Sequence, residues 1–386
     1  MVKTERVRTM PITSLFMVLF MLGAKAFGQI EIWQLKGGEV NAINSAVPFI
    51  TIAPDSRSGA MGDVGIASKP DNNSQHYNVA KYAFMKEDGG LSISYTPWLR
   101  NLILDIDLAY LSTYYKPTPN QVISGSLRYF SLGEIIFTNI DGVEDGPPVT
   151  PFEMALDAGY SRLFTDNFSG GVVFRYIHSD LTSGRVVNSQ ESRPGIAVAA
   201  DLGFYYENDL MVSGNDASYA WGINLSNLGT PIAYTTDADR VPIPSNLGLG
   251  GRFDYELDDY NTMSFMLDLN KLLVPTRPVI DSETDSVLRG YPEPESIVLG
   301  MIQSFYDAPG VNYEDGTYSS VFREELAEIM VSLGVEYWYR EQFAIRAGYF
   351  HETAIKGNRK YATLGVGLKL NVFSLDFAYL IPTNGM

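Results

Sequence analysis

The sequence lacks cysteine, has few charged side chains, and has no apolar run long enough to form a membrane helix after its N-terminal region. None of the 386 residues is cysteine, and only 19% are charged. A disulfide framework and a thiolate metal site are therefore both excluded. The three histidines form no His-Glu-x-x-His arrangement, so metal ligation has little support. We predict no metal and no cofactor.

Basic residues are scarce as well, and this excludes one class of partner. The chain has 28 basic and 45 acidic side chains, which give a formal net charge of −17. Nucleic-acid binding depends on lysine and arginine neutralising phosphates. We therefore predict that the chain has no nucleic-acid partner.

The N-terminus has the pattern of an export signal. Lys3, Arg6 and Arg8 precede an apolar run over residues 12–22, which small residues follow. This order is typical of a secretory signal peptide, here residues 1–28 with cleavage after Ala26 or Gly28. The alternative, a membrane anchor, is disfavoured because the apolar run is too short to span a bilayer as a helix.

Glycine and aromatic residues are abundant, and apolar and polar residues alternate through most of the chain. The sequence has 35 glycines, 24 tyrosines and 20 phenylalanines, and "FSLDFAYLI" at residues 373–381 shows the alternation. A period of two places successive side chains on opposite faces of a strand. One face is rich in Phe, Tyr, Leu and Ile. The other repeatedly carries ionised groups: Asp105, Asp107, Arg175, Arg252, Asp254, Asp268, Arg346, Lys369 and Asp376. A soluble β-sandwich also alternates, but with polar residues outward. We predict an all-β transmembrane antiparallel barrel, apolar toward lipid and polar toward its lumen.

Thirteen strands are predicted by this alternation. They lie near residues 90–96, 104–115, 121–132, 152–163, 168–178, 194–205, 218–227, 246–255, 260–269, 329–339, 342–351, 361–371 and 373–381. Short turns alternate with longer connections at 140–151, 179–193, 228–244, 270–328 and 352–360, as in outer-membrane barrels. The predicted domains are the signal peptide, an N-terminal plug or periplasmic segment at 29–89, and the barrel at 90–386. Thirteen is odd, so we expect either a miscount or a closing strand absent from this sequence.

The connection at 270–328 contains two segments with helical spacing. In one, Val298, Met301, Ile302 and Phe305 recur at helical intervals. In the other, Ser320 is a candidate N-cap before Phe322 and Leu326 on an apolar face. An apolar helix face must be buried somewhere, so we consider both partner contact and a simple lid over the barrel mouth.

The stretch "RSGAMGDVGIA" at residues 57–67 places Gly59, Gly62 and Gly65 at even spacing. A phosphate-binding loop would need a preceding strand and a following helix, and neither is indicated here. We predict instead that these glycines allow tight packing in a plug segment. Asp55 and Arg57 could then pair with lumen charges such as Arg346 or Asp376.

Polar residues near the external strand ends do not form a convincing catalytic site. His178, Ser179 and Asp180 are adjacent, as are His351 and Glu352. Adjacent residues of a strand point to opposite faces, whereas a triad needs convergent side chains. We predict that the chain has no catalytic residues and is not an enzyme.

Four long segments of the sequence carry a specific resemblance. They are "NAINSAVPFITIAPDSRSGAMGDVGIASKPDNNSQHYNVAKYAF" (41–84), "SYTPWLRNLILDIDLAYLSTYY" (94–115), "VEYWYREQFAIRAGYF" (335–350) and "KGNRKYATLGVGLKLNVFSLDFAYLIPT" (356–383). These segments resemble the PorV family, also called LptO, of FadL-like outer-membrane proteins from the type IX secretion system of Bacteroidetes. The resemblance covers nearly the whole mature chain. It implies a FadL-like barrel of fourteen strands with an N-terminal plug, the last strand being absent here.

The resemblance also implies a function and a set of partners. PorV-like proteins are non-enzymatic shuttles of the outer membrane. They bind the C-terminal signal domains of cargo at the SprA/Sov translocon and deliver the cargo to the attachment complex of PorU, PorQ and PorZ. The alternative is a FadL-type transporter of hydrophobic small molecules. Val79 stands where the broader FadL pattern has Asn-Pro-Ala, which weakens that alternative.

Overall fold

The computed structural model describes residues 40–98, 105–138, 146–182, 184, 186–187, 190–235, 240–281, 283–294, 296–312 and 317–383. The predicted signal peptide at 1–28 lies outside these residues, as do residues 29–39 of the predicted plug segment and part of the predicted loop at 140–151. The statements below concern the described residues.

Strands make up most of the described chain. In chain order they are β1 (Gly89–Pro97), β2 (Asp107–Thr118), β3 (Gln121–Ser131), β4 (Phe152–Thr165), β5 (Phe168–Asp180), β6 (Val186–Val187), β7 (Gln190–Glu191), β8 (Gly195–Val212), β9 (Asn215–Gly229), β10 (Asn246–Asp258), β11 (Asn261–Leu272), β12 (Val279–Ile280), β13 (Val287–Arg289), β14 (Met330–Tyr339), β15 (Phe343–His351), β16 (Lys360–Leu370) and β17 (Phe373–Pro382).

Thirteen of these strands form one antiparallel sheet in the order β1-β2-β3-β4-β5-β8-β9-β10-β11-β14-β15-β16-β17. The all-β class and the strand number predicted from the sequence are confirmed. The pairs β6–β7 and β12–β13 are separate short hairpins within connections. In the described part of the chain, β1 and β17 are the two edges of the sheet, and no ladder joins them.

The connections make the two ends of the sheet different. At one end, tight turns join β2 to β3, β4 to β5, β8 to β9, β10 to β11, β14 to β15 and β16 to β17. At the other end, long connections follow β1, β3, β5, β9, β11 and β15. We call these the short-turn end and the long-connection end. This parity agrees with the alternation of turns and loops predicted from the sequence.

The sheet buries its polar face and exposes its apolar face. On β11, Ser264 and Asp268 are buried, whereas Leu267 between them is exposed. The same holds for charged residues of other strands, including Arg128, Glu153, Asp157, Arg175, Asp201, Arg252, Asp254, Glu336 and Arg346, which are all buried. A water-soluble sheet would show the opposite distribution, so the apolar face is suited to lipid.

Strand β2 differs from the prediction. The sequence favoured Asp105 and Asp107 on the lumen face, but Leu108 and Tyr110 face inward, and Asp105 is exposed. The reason is local packing: Leu108 joins an inner apolar cluster with Phe49 and Ile50 of the N-terminal segment. Where apolar residues of the N-terminal segment fill the lumen, the inward face of the neighbouring strand is apolar too.

The N-terminal segment fills the space that the sheet encloses. It contains a 3₁₀ turn at Pro48–Thr51, helix α1 (Ser56–Gly59), helix α2 (Ser74–Tyr77) and a second 3₁₀ turn at Val79–Phe84. We call residues 40–52 the strap and residues 53–85 the plug. The plug ends where β1 begins, at the short-turn end.

The connection between β11 and β14 contains the β12–β13 hairpin and two helices, α3 (Ile297–Gln303) and α4 (Val321–Ala327). We call residues 273–329 the cap. Both helices lie where helical spacing was predicted. Ser320 is the N-cap of α4, as predicted, because its side chain accepts a hydrogen bond from the Arg323 amide. Among the described residues, none of the helices has the length and apolarity needed to cross a membrane.

Candidate functional site

Arg57 joins the plug to the sheet through a chain of buried charges. Its guanidinium contacts Asp71 within the plug at 2.7 Å and Glu336 of β14 at 2.9 Å. Glu336 also pairs with Arg346 of β15 at 2.7 Å, and Arg346 pairs with Asp376 of β17. The sequence predicted contact with Arg346 or Asp376. Arg57 instead reaches them through Glu336.

Asp55 has a local role in the plug. It is the N-cap of α1 and accepts a hydrogen bond from the Ser58 amide at 3.0 Å. The side chain is buried, and its second oxygen has no hydrogen-bond partner. Asp55 therefore shapes the turn that presents Arg57 to Glu336. Within the described structure, Asp55 forms no ion pair with the sheet.

Asp268 of β11 binds the plug backbone around Gly65. One carboxylate oxygen accepts hydrogen bonds from the Gly65 and Ile66 amides at 2.7 and 2.9 Å. On the opposite side of this turn, the buried Lys81 ammonium donates to the Gly65 carbonyl at 2.7 Å and to the Ser68 hydroxyl at 2.9 Å. Buried polar groups need such partners to offset their lost hydration. Asp268 thereby fixes the plug backbone to the wall, and Lys81 stabilises the same turn from within the plug.

The three glycines of the sequence motif have different surroundings. Gly62 has a φ of +66°, and a Cβ there would lie 2.6 Å from the Tyr349 backbone of β15. A Cβ at Gly65 would overlap the Tyr77 ring. Gly59 has open space around its missing Cβ. Close packing therefore explains Gly62 and Gly65 but not Gly59.

Glycines on the sheet itself form a belt around the plug. On nine of the strands, a lumen-facing glycine lies so close to the plug that a Cβ would meet plug atoms. They are Gly90, Gly159, Gly171, Gly203, Gly222, Gly250, Gly334, Gly348 and Gly365, which face plug residues between Ala60 and Ala80. Strand β11 has no such glycine and instead holds the plug through Asp268. The wall and the plug are thus in direct contact around most of the circumference.

Further buried charges line the wall. Arg175 pairs with Asp157 at 2.8 Å and with Asp201 at 3.1 Å. Arg252 pairs with Asp254 at 2.8 Å and with Glu207 at 2.7 Å, and it donates to the plug carbonyl of Ala67. Arg252, Asp254 and Asp268 were expected on the lumen face, and they lie there. The contacts of Asp268 and Glu336 with the plug were missed, although alternation already places both on the polar face.

The helices of the cap expose apolar side chains, and α4 also buries a charged one. In α4, Phe322 is 72% exposed and Leu326 is 52% exposed, whereas Glu324 is fully buried. In and beside α3, the exposed apolar residues include Val298, Ile302 and Phe305, and Met301 is half-buried. These six are the residues that the sequence singled out for partner contact. A surface helix normally turns its apolar face to the core.

A cluster of buried charges holds the cap in this orientation. Lys271 of β11 pairs with Glu325 at 3.1 Å and with Glu328. Lys356, in the connection after β15, pairs with Glu324 at 2.6 Å and with Glu328 at 2.9 Å. The carboxylates of α4 therefore point inward because two lysines of neighbouring segments meet them there.

Asp307 adds a further carboxyl group to this cluster. It is fully buried, and one of its oxygens has no hydrogen-bond partner. Burial and the nearby charges of Glu328 and Glu325 raise the pKa of Asp307 to about 7. Burial raises the pKa of Glu325 as well. The cluster thus has more carboxyl groups than lysines, and a proton on Asp307 reduces the excess.

No ligand set for a metal is found in the part of the chain that the structure describes. The wall charges are occupied by one another and by the plug. The arrangement offers a lumen that the plug occupies and an exposed apolar surface at the long-connection end.

The fold and the site define a class: a membrane β-barrel with a polar, plugged interior and an apolar outer wall. A family comparison identifies the group within this class. The sequence model of the family described as Type IX secretion system protein PorV matches residues 36–279. The chain belongs to the PorV family. The resemblance noted in the sequence is confirmed, and the family indicates an outer-membrane protein.

Several solved structures have similar folds at low identity. The Pseudomonas putida toluene transporter TodX is 12% identical, with a TM-score of 0.44, and the match covers 86% of this chain and 91% of that one. The Ralstonia pickettii toluene transporter TbuX is 11% identical, with a TM-score of 0.38 and coverages of 85% and 92%. A Pseudomonas aeruginosa FadL homologue is 11% identical, with a TM-score of 0.38 and coverages of 85% and 89%. No match is found among curated proteins.

Proposed function

We propose that this protein is a non-enzymatic shuttle of type IX secretion. It binds the C-terminal signal domain of cargo at the SprA/Sov translocon and delivers the cargo to the PorU sortase complex with PorQ and PorZ. Membership in the PorV family supports the secretion role. The observation that supports the cap as the contact surface is the orientation of helix α4, which buries its carboxylates and exposes Phe322 and Leu326.

The cap is a suitable surface for a protein partner. Contiguous exposed apolar residues on a protein surface mark interaction sites more often than isolated ones do. The cluster of Lys271, Lys356 and the α4 carboxylates prevents the helix from turning this face inward. A partner that covers Phe322 and Leu326 would remove their apolar surface from water, which favours association.

In our proposal, this surface lies outside the cell. Outer-membrane barrels have short periplasmic turns and long external connections. The cap therefore lies on the external side in our proposal, where cargo leaves the translocon. Acidic residues of the external connections would steer basic cargo surfaces and mainly change the association rate.

The filled lumen supports this role over small-molecule transport. Arg57, Asp268 and the glycine belt keep the plug against the wall. A transporter of hydrophobic molecules needs an apolar passage. Here the inner face of the wall beside the plug is charged, and the plug fills the space next to it.

A binding experiment with paired variants tests the proposal. We expect Phe322→Ser combined with Leu326→Ser to weaken capture of a type IX signal domain by at least about tenfold, because the apolar contact is lost. Leu257→Ser changes an exposed apolar residue at the short-turn end and is the matched control. Capture should be measured by pull-down with the purified signal domain, after protease resistance shows that each variant is folded. Equal capture by the cap variant and the control would reject the cap as the contact surface.

A further inference from the structure

The strap lies at the same end of the barrel as the cap. The Asn41 amide donates to the Ile355 carbonyl at 2.8 Å, in the connection between β15 and β16. The Asn41 side chain donates to Glu324 of α4 at 3.1 Å. The Ala46 amide donates to the Pro242 carbonyl at 2.9 Å, in the connection between β9 and β10. The strap thus contacts three different long connections.

The strap then descends into the lumen and is firmly packed there. Val47, Phe49 and Ile50 are buried in one apolar cluster. Its other members are inward residues from the long connections and from the strands near the long-connection end. These are Ile106, Leu108, Phe130, Ala155, Ile177, Ala197, Ala199, Ile232 and Ile243. The Ile50 carbonyl accepts a hydrogen bond from the Arg128 guanidinium at 2.6 Å.

One backbone conformation shows how strongly this packing is fixed. Val47 has a φ of +48°, which is unfavourable for a β-branched residue. Such a conformation persists only where the surroundings determine it. The buried neighbours of Val47 provide those surroundings, and Pro48 begins the 3₁₀ turn that follows.

We propose that the chain enters the barrel from the cell surface and that the strap fastens the external connections to the plug. In this arrangement, Val40 lies at the external mouth of the barrel. The following residues form the strap and then the plug inside the lumen, and the chain reaches the start of β1 at the periplasmic end. Residues 40–85 are therefore a single through-lumen segment, and the strap joins the surface that contains the cap to the plug. This inference depends on the barrel orientation but not on the cargo role.

Single cysteines can test the direction of entry, because the chain has no native cysteine. Val40→Cys places the probe at a 70% exposed position of the strap. Glu283→Cys, in the cap, marks the external side, and Asp259→Cys, in the turn after β10, marks the periplasmic side. Cells of a heterologous Gram-negative host without type IX secretion are treated with a membrane-impermeant maleimide, before and after the outer membrane is permeabilised.

We expect Val40→Cys and Glu283→Cys to react in intact cells and Asp259→Cys to react only after permeabilisation. If Glu283→Cys reacts in intact cells but Val40→Cys does not, the external entry of the chain is wrong. If Asp259→Cys is the position that reacts in intact cells, the barrel orientation itself is reversed. Binding of cargo is not needed for either result.

A second measurement tests the fastening role of the strap. Asn41→Ala removes the side-chain bond to Glu324 while leaving the backbone bond to Ile355. We expect an external protease to cleave the cap about five- to tenfold faster, because local opening becomes more frequent. Thr51→Ala is the control, since the Thr51 hydroxyl bonds only locally to the Pro48 carbonyl. Equal cleavage rates for Asn41→Ala and Thr51→Ala would contradict the fastening role.

Discussion

At the scale of the residue, the glycine motif illustrates how one sequence pattern covers different requirements. Gly62 has a left-handed backbone and lies against Tyr349, whereas Gly65 lies against Tyr77. Gly59 shows neither feature. The sequence correctly favoured packing over phosphate binding, but it could not rank the three positions. The ranking depends on tertiary neighbours, which are Tyr349 of the distant strand β15 for Gly62 and Tyr77 of the plug for Gly65.

The three positions form a natural series of alanine variants. We expect Gly62→Ala and Gly65→Ala each to lower the free energy of unfolding by about 1–3 kcal/mol, because a methyl group would overlap its neighbours. Gly59→Ala should leave it nearly unchanged. Thermal unfolding of the purified protein in detergent measures the differences. A loss of stability in Gly59→Ala as large as in the other two would show that packing does not explain the motif.

Arg57 allows a second residue-scale prediction. We expect Arg57→Ala to destabilise the plug by about 3 kcal/mol, because it removes one partner from the buried Glu336 and from Asp71. Arg162→Ala, at an exposed position, is the matched control. Protease cleavage between residues 57 and 71 reports plug opening. Cleavage no faster than in the control would mean that Arg346 alone satisfies Glu336.

At the scale of the element, helix α4 shows the limit of periodicity. Its position and its Ser320 N-cap were predictable, since both depend on neighbouring residues in the sequence. Its orientation was not, because the usual expectation places Phe322 and Leu326 inward. Lys271 and Lys356 reverse that expectation by pairing with Glu324 and Glu328. No local pattern in the sequence reveals that these two lysines meet α4.

The carboxyl excess beneath α4 predicts a pH dependence of the cap. The pKa of Asp307 is raised from 3.8 to about 7 in the folded protein. The stability that comes from its protonated form is therefore complete below about pH 4 and is lost as the pH rises through 7. We expect the cap to resist proteolysis better at pH 5 than at pH 8.

Variants separate this effect from the pH dependence of the protease itself. Asp307→Asn is uncharged at both pH values and should show a much smaller difference between them. Glu283→Gln changes an exposed carboxyl of the cap and should behave like the unmodified chain. Rates of cap cleavage are compared among the three proteins at each pH. The proposed role of Asp307 would be contradicted if all three proteins changed by the same factor.

At the scale of the whole molecule, the sheet and the N-terminal segment form one packed unit. The plug lies against glycines of nine strands, and it also binds Asp268 of β11 and Glu336 of β14. Polar residues are buried here because their partners are inside, and apolar residues are exposed because the outer wall faces lipid. The resulting lumen leaves the plug little freedom to move.

A lumen that is filled by the plug should conduct poorly. We expect the purified protein in a planar bilayer to show no sustained ion conductance, because the plug contacts the wall around most of its circumference. Deletion of residues 41–67 removes the strap and the Arg57 contacts, and it should raise the permeability to small solutes. Electrical recording and solute uptake into liposomes measure the two. Unchanged permeability after the deletion, in a chain that still inserts, would show that another segment closes the barrel.

The sequence alone determined the strand number, the strand order along the chain and the presence of an inner polar face, because alternation is a local property of a strand. It also determined the family, because long segments match it. Only the tertiary structure decided that Glu336 receives Arg57, that β2 turns Leu108 inward, and that α4 exposes Phe322. Each depends on residues distant in the chain that become neighbours once the sheet curves around the plug. Burial of a charge or an apolar side chain is decided by those neighbours.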